Sequence, residues 1–78
     1  MPIYFFDLLD GDALIRDEDG QDFSDLDAAR VAGIDGAREQ ISFAVRGGFD
    51  VTYRKFRIRD EAGDIVTTIA FRDTIRRA

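Results

Sequence analysis

The 78-residue chain has no cysteine, no histidine and no tryptophan, and a single proline, Pro2. Without cysteine, neither a disulfide nor a thiolate metal site can staple the fold. Without histidine as well, the side chains that titrate near neutrality are missing, so a carboxylate would need burial to act as a base. Ser42 has no histidine to activate it. No apolar run reaches the roughly 18 residues of a membrane span. The opening Met-Pro-Ile-Tyr-Phe-Phe-Asp has neither a basic leader nor a long apolar core, which reads as no signal peptide. The glycine-rich spots Gly33/Gly36 and Gly47-Gly48 match neither the dinucleotide nor the phosphate-loop pattern. The expectation is a soluble cytoplasmic protein with no membrane association. It is not expected to be an enzyme, and no cofactor or metal is expected.

What is present is one domain, 1–78, organised around an amphipathic helix between Ser24 and Gly48. Ser24-Asp25-Leu26-Asp27 has the form of a capping box, with Ser24 at the N-cap and Asp27 three residues on. Phe23 is placed to staple onto Ala28. Arg46 in the last turn and Gly47-Gly48 mark the stop. Leu26, Ala29, Gly33, Ala37, Ile41 and Ala44 form one stripe at three- and four-residue spacing. Its small residues predict close packing against large side chains on a sheet, the alternative being a ligand channel along that smooth face. Each interior glycine costs roughly 1 kcal/mol against alanine, so Gly33 and Gly36 need such a reason. Asp35, Arg38 and Glu39 read as solvated.

Two strand pairs flank the helix. Ile3 to Leu9 is β-prone, and Asp10-Gly11 suits a two-residue type I′ turn that pairs Leu9 with Asp12 and Leu8 with Ala13. Tyr4, Phe6, Leu8, Ala13 and Ile15 then face the core, while Phe5, Leu9 and Leu14 share the opposite face with Asp7 and Arg16. Asp7 interrupts an apolar strand and is the best acid–base candidate, although a position facing solvent or an arginine is its ordinary meaning. Phe49 to Lys55 connects the helix to a second hairpin, Phe56 to Arg59 and Ile65 to Phe71. A four-residue loop, Asp60-Glu61-Ala62-Gly63, pairs Arg59 with Asp64 and Ile58 with Ile65. A bulged alternative shifts that register. Phe56, Ile58, Ile65, Thr67 and Ile69 face the core, and Lys55, Arg57 and Arg59 point away. Arg72 to Ala78 is a final helical turn or a frayed end. The fold class is therefore α+β, in the order β-β-α-β-β, with an antiparallel sheet packed on a single helix.

Charge is uneven: residues 1–39 carry eleven acids and three arginines, residues 40–78 five acids and eight Lys/Arg, for a total of −5. Asp17-Glu18-Asp19-Gly20 invites a calcium reading, but anchoring Gly20 at the sixth loop position puts Ile15 first and Leu26 twelfth, where carboxylates are required. A loose cation site among Asp17, Asp19 and Asp22 is the remnant of that idea. The row Arg54, Lys55, Arg57 and Arg59, with Phe56 and Tyr53, is the one feature suited to nucleic acid, because a basic strand ribbon can meet phosphates and aromatics can stack on bases. The acidic total argues against a dedicated binder.

Folding buries roughly 8,000 Å², of which about 60% apolar at ~25 cal/mol/Å² contributes about 120 kcal/mol. Ordering the chain costs ~1.5 kcal/mol per residue, about the same sum, so the monomer is marginal and a homodimer would help. The leading expectation is a non-catalytic protein-interaction or self-associating module, a homodimer or the binder of an unknown protein partner. Phe5, Leu9 and Leu14, or the basic strand face, would be its contact. The alternative is a small nucleic-acid-associated regulator using Arg54, Lys55, Arg57 and Arg59.

Tyr4-Phe5-Phe6, Asp10-Gly11, Arg16-Asp17-Glu18 with Gly20, Asp25-Leu26-Asp27-Ala28-Ala29-Arg30, and Arg59-Asp60-Glu61-Ala62-Gly63 with Phe71-Arg72-Asp73 span nearly the whole chain. Together they resemble a family of small proteobacterial proteins known as a domain of unknown function. In that pattern a histidine often follows the aromatic pair, and this chain departs by placing Asp7 there. The resemblance implies a bacterial cytosolic protein and brings no activity, cofactor or site residues with it.

Overall fold

A computed structural model describes residues 1–76. Its elements are β1 (Ile3–Asp10), β2 (Ala13–Ile15), β3 (Gln21–Asp22), α1 (Leu26–Arg46), β4 (Lys55–Arg59) and β5 (Ile65–Ala70), followed by a single 3₁₀ turn, Phe71–Thr74. All strand pairs are antiparallel, in the order β2-β1-β4-β5, with β3 also on β1. The expected α+β class holds, with one short strand more than the sequence suggested. β3 exists because Gln21 and Asp22 return along β1 opposite Tyr4 and Ile3, and Phe23 N–H continues the ladder to the Pro2 carbonyl at 3.0 Å.

The helix starts one residue later than the capping box implied. Asp25, not Ser24, is the N-cap; its carboxylate accepts from Ala28 N–H at 2.8 Å. Asp25 is the better anchor because a carboxylate also complements the helix dipole. Phe23, two residues before that cap, packs its ring against Tyr4 and Phe6, with centroids 6.2 and 5.7 Å away. At the far end Phe49 N–H reaches Ala44 O and Gly48 N–H reaches Val45 O, with Gly48 at φ +84°. This is the paired closure of a left-handed helix stop.

The stripe is buried as expected at Ala29, Gly33, Ala37 and Ile41. A Cβ on Gly33 would stand 2.6 Å from Ile69 Cδ1 and 3.1 Å from Phe6 Cε2. Gly33 therefore lets the helix settle onto the sheet. Gly36 has no such need: its nearest neighbour would be Phe56 Cε2 at an ordinary 3.6 Å. Ala37, Ile41, Val51 and Phe71 form the core cluster, with Leu8, Ala44 and Phe56 against it. Beneath the helix Phe56 meets Phe6 edge to face and Phe71 at a tilt, at centroid separations of 6.0 and 5.1 Å.

The first hairpin turns one residue later than predicted. Asp10 pairs with Ala13 and Leu8 with Ile15, leaving Gly11-Asp12 as the loop. Gly11 alone has positive φ (+60°), which suits a II′ rather than a I′ turn. The pairing moves by two positions, so every side chain keeps its predicted face. Ala13 and Ile15 nevertheless lie exposed, since β2 projects past the helix. In the second hairpin Arg59 pairs with Ile65 but Ile58 with Thr67, so Val66 is an extra, bulged residue. The bulge turns Ile65 out of the core, to 57% exposure, while Ile58 and Ile69 stay in it. Of the expected tail, Arg72 to Ala78, the first part lies in the 3₁₀ turn: Phe71 and Thr74 are buried, and Arg38 donates from Nε to Thr74 O at 2.7 Å, while residues 77–78 lie outside the described residues. Arg38, expected to be solvated, fastens that turn to the helix.

Candidate interaction surface

Alternation along β1 and β4 places Phe5, Asp7, Leu9, Lys55, Arg57 and Arg59 on the sheet face opposite the helix. The register sets Asp7 directly across from Arg57, and Phe5 across from Arg59. Arg59 reaches diagonally back to Asp7, with Nε 2.7 Å from Oδ2 and Nη2 3.0 Å from Oδ1. Arg57 adds Nη2 at 3.0 Å from the same Oδ2. Asp7 is therefore neither facing solvent nor poised as a base. It is fully buried (0% exposed) and clamped by two guanidinium groups.

The segment after β2 folds over this cluster. Asp17 N–H donates to Asp7 Oδ1 at 3.1 Å, and the Asp17 carbonyl accepts from Arg59 Nη2 at 3.1 Å. The Asp17 carboxylate accepts three backbone N–H groups, those of Phe6, Asp19 and Gly20. Its bond to Phe6 fills the gap on the β1 edge between β3 and β2. Gly20, at φ +70°, closes the loop; a Cβ there would stand 2.6 Å from Ile3 Cγ2 and 2.9 Å from Phe5 Cε1. Phe5 in turn carries the Arg59 guanidinium 4.9 Å above its ring.

The electrostatics follow from that geometry. Burial pushes the Asp7 carboxyl up, but the Arg59 bonds, the Asp17 N–H and Arg57 together outweigh it and hold the pKa at about 2. Burial likewise opposes ionisation of Asp17, and the N–H groups of Phe6, Gly20 and Asp19 override it, so its pKa is lowered. Asp7 raises that of Arg59. Among the described residues no group of three acids is arranged to hold a metal ion. The Asp17 carboxylate, central to the loose cation reading, is already taken up by backbone donors.

Arg59 is 7% exposed and Arg57 half-buried, both committed to Asp7. Arg54 pairs with Asp10, Nη2 to Oδ2 at 3.4 Å, and donates to Gln40 Oε1 on the helix at 3.0 Å. Only Lys55 of the four is exposed and unpaired among the described residues. The outward basic row expected from alternation is thus three arginines consumed by acids of the same chain. Phe5 lies under the Asp17 loop, Leu9 is half-buried, and Leu14 is 47% exposed on the short edge strand β2. The three do not form one open patch.

The open apolar surface lies elsewhere. Phe43 and Phe49 are 82% and 70% exposed, and Val45 and Tyr53 are exposed with them. Phe43, Phe49 and Tyr53 line a groove of about 810 Å³ at the C-terminal end of α1, floored by Ala44 and Val51. Tyr53 is held by its hydroxyl, which donates to Asp10 Oδ1 at 2.6 Å. That bond lowers the pKa of Asp10 and raises that of Tyr53. Phe43 follows Ile41 by two positions, about 200° around the helix, so periodicity alone sets it off the core stripe. That signal was legible; the nearness of Phe49, beyond the helix stop, was not. A smaller depression of about 380 Å³ beside Gly33 and Gly36 is lined by Phe6, Phe56, Asp19 and Gln21.

The family model of DUF6894, a domain of unknown function, matches residues 3–72, which contain every strand, the helix and the start of the 3₁₀ turn. The chain belongs to this family. No curated protein and no solved structure matches it. The DUF6894 description assigns no chemistry, so function rests on the surfaces just described.

Proposed function

We propose that this DUF6894 domain is a non-catalytic interaction module, able to self-associate, that engages a protein partner through Phe43, Phe49 and Tyr53. The observation that carries the reading is the pair Phe43 and Phe49, exposed on either side of an open groove. Exposed aromatic side chains supply large contact area at little entropic cost and are enriched where interfaces bind most strongly. Support also comes from the other face, where the ionisable groups are locked in pairs rather than poised for proton transfer.

Nucleic acid is the weaker reading, because Arg54, Arg57 and Arg59 have their charges neutralised by Asp10 and Asp7. Phosphate affinity grows with the number of free cations and must weaken with salt.

The test is a photo-cross-linking amino acid at Phe49 in the full chain, irradiated in its native host. A discrete adduct that disappears when Phe43→Ser is added supports the reading. Adducts formed only from a probe at Leu14 or Lys55 would overturn it and return the contact to the opposite sheet face.

A further inference from the structure

The two edges of the sheet are finished differently. The outer edge of β1 is shared by the short strands β2 and β3, and the Asp17 carboxylate takes up Phe6 N–H between them. β5 ends the strand order on the other side. Among the described residues, no hydrogen bond outside the β4 ladder reaches the backbone of Ile65–Ala70. The strand reads Ile-Val-Thr-Thr-Ile-Ala, with no charge, no proline and five β-branched residues of six. Soluble monomers usually blunt such an edge with a lysine, a proline or a covering loop. Here the single irregularity is the Val66 bulge near the start, and Thr67–Ala70 run in unbroken register.

We propose that β5 pairs antiparallel with β5 of a second copy, about a two-fold axis near Thr67 and Thr68; this rests on the self-association part of the reading above and names its surface. The strand is compatible with itself. Around the axis threonine meets threonine, a favourable cross-strand pairing, and no like charges are opposed. The flanks decide the direction. Asp60, Glu61 and Asp64 precede the strand, and the 3₁₀ turn that follows it carries Arg72 and Asp73, with Arg76 beyond, so the flanks are net negative before the strand and net positive after it. Antiparallel pairing brings the acidic start of each strand, ending at Asp64, to the end of the other that carries Arg72, whereas parallel pairing would set acids against acids. Neither Asp64 nor Arg72 has an ion pair among the described residues. The result is one continuous sheet with both helices on the same side and both Phe43–Phe49 grooves open.

The absence of cysteine makes the test clean. Thr67→Cys and Thr68→Cys, separately, are oxidised mildly, with Glu61→Cys as the control far from the axis. A threonine variant should form a covalent dimer and Glu61→Cys should not, since a disulfide needs Cα atoms within about 7 Å. Sedimentation of the cysteine-free chain over a concentration series should show a dimer. Thr68→Glu, which faces Arg57 in its own chain and another Glu across the axis, should lose that dimer with its circular dichroism unchanged. A chain monomeric throughout, or a dimer that survives Thr68→Glu and dissolves with Phe43→Ser, overturns the pairing. Cross-linking from Phe49 in the native host is read beside these measurements. Retained partner adducts beside a monomeric chain defeat the β5 pairing alone; absent adducts beside an intact β5 dimer defeat the groove reading alone.

Discussion

The two faces of the sheet are closed by opposite means. Toward the helix, Phe6, Phe56, Ile58 and Ile69 meet a stripe of alanine and glycine, and size complementarity does the work. On the other face no helix is available, and a three-sided ionic cluster under a short loop takes its place. An apolar contact fails gradually when a methylene is lost. A buried ionic cluster fails abruptly, because removing one member leaves the others charged and desolvated.

The largest effects should therefore come from the ionic face. Asp7→Ala would strand Arg59 in a dry site and is expected to cost about 3–5 kcal/mol, enough to unfold a domain of this size. Urea denaturation, or its impossibility in a chain already unfolded, reads this directly. Arg57→Ala should cost clearly less, as Arg57 is half-buried and its partner keeps Arg59. Next comes Gly20→Ala, where a left-handed backbone and the contact with Ile3 and Phe5 combine to about 2 kcal/mol.

Acid should separate the faces as well. The folded Asp7 pKa of about 2 lies below its ordinary value of 3.8. Its contribution is therefore complete above pH 4 and is lost as pH falls from there toward 2, a change of roughly 2 kcal/mol. Denaturation followed at stepped pH should show that loss, and Asp7→Asn should lack most of it. On the helix face the effects are smaller and differ in sign. Gly36→Ala should raise stability by about 0.5–1 kcal/mol, because helix propensity improves and space exists. Gly33→Ala should give no such gain, since its Cβ meets Ile69 and Phe6. Paired thermal melts distinguish the two.

The helix face was the more legible from sequence. Periods of 3.6 and 2 assign Ala29, Gly33, Ala37 and Ile41 to one stripe and Phe6, Ile58 and Ile69 to its partner face, and these survive small errors in turn position. The Gly11-Asp12 loop shifted the first hairpin by two, which leaves the faces unchanged. The Val66 bulge shifted the second by one at its mouth, and nothing in a run of β-branched residues marks which one is extra. The ionic face was half visible. Alternation put Asp7 with Arg57 and Arg59, but their burial depends on the Arg16–Gly20 segment crossing above them, a tertiary event with no local pattern. The row that reads as four free cations holds three neutralised ones, Arg57 and Arg59 by Asp7 and Arg54 by Asp10.

The central claim is that the face opposite the helix is a desolvated ionic core rather than a solvated basic surface. A double-mutant cycle on Asp7→Asn and Arg59→Met, read by urea denaturation at neutral pH, tests it most directly. The claim predicts a coupling of at least about 2 kcal/mol, with each single change nearly as costly as both together. A coupling under about 0.5 kcal/mol, as exposed pairs give, would contradict it and restore Arg57 and Arg59 to the surface.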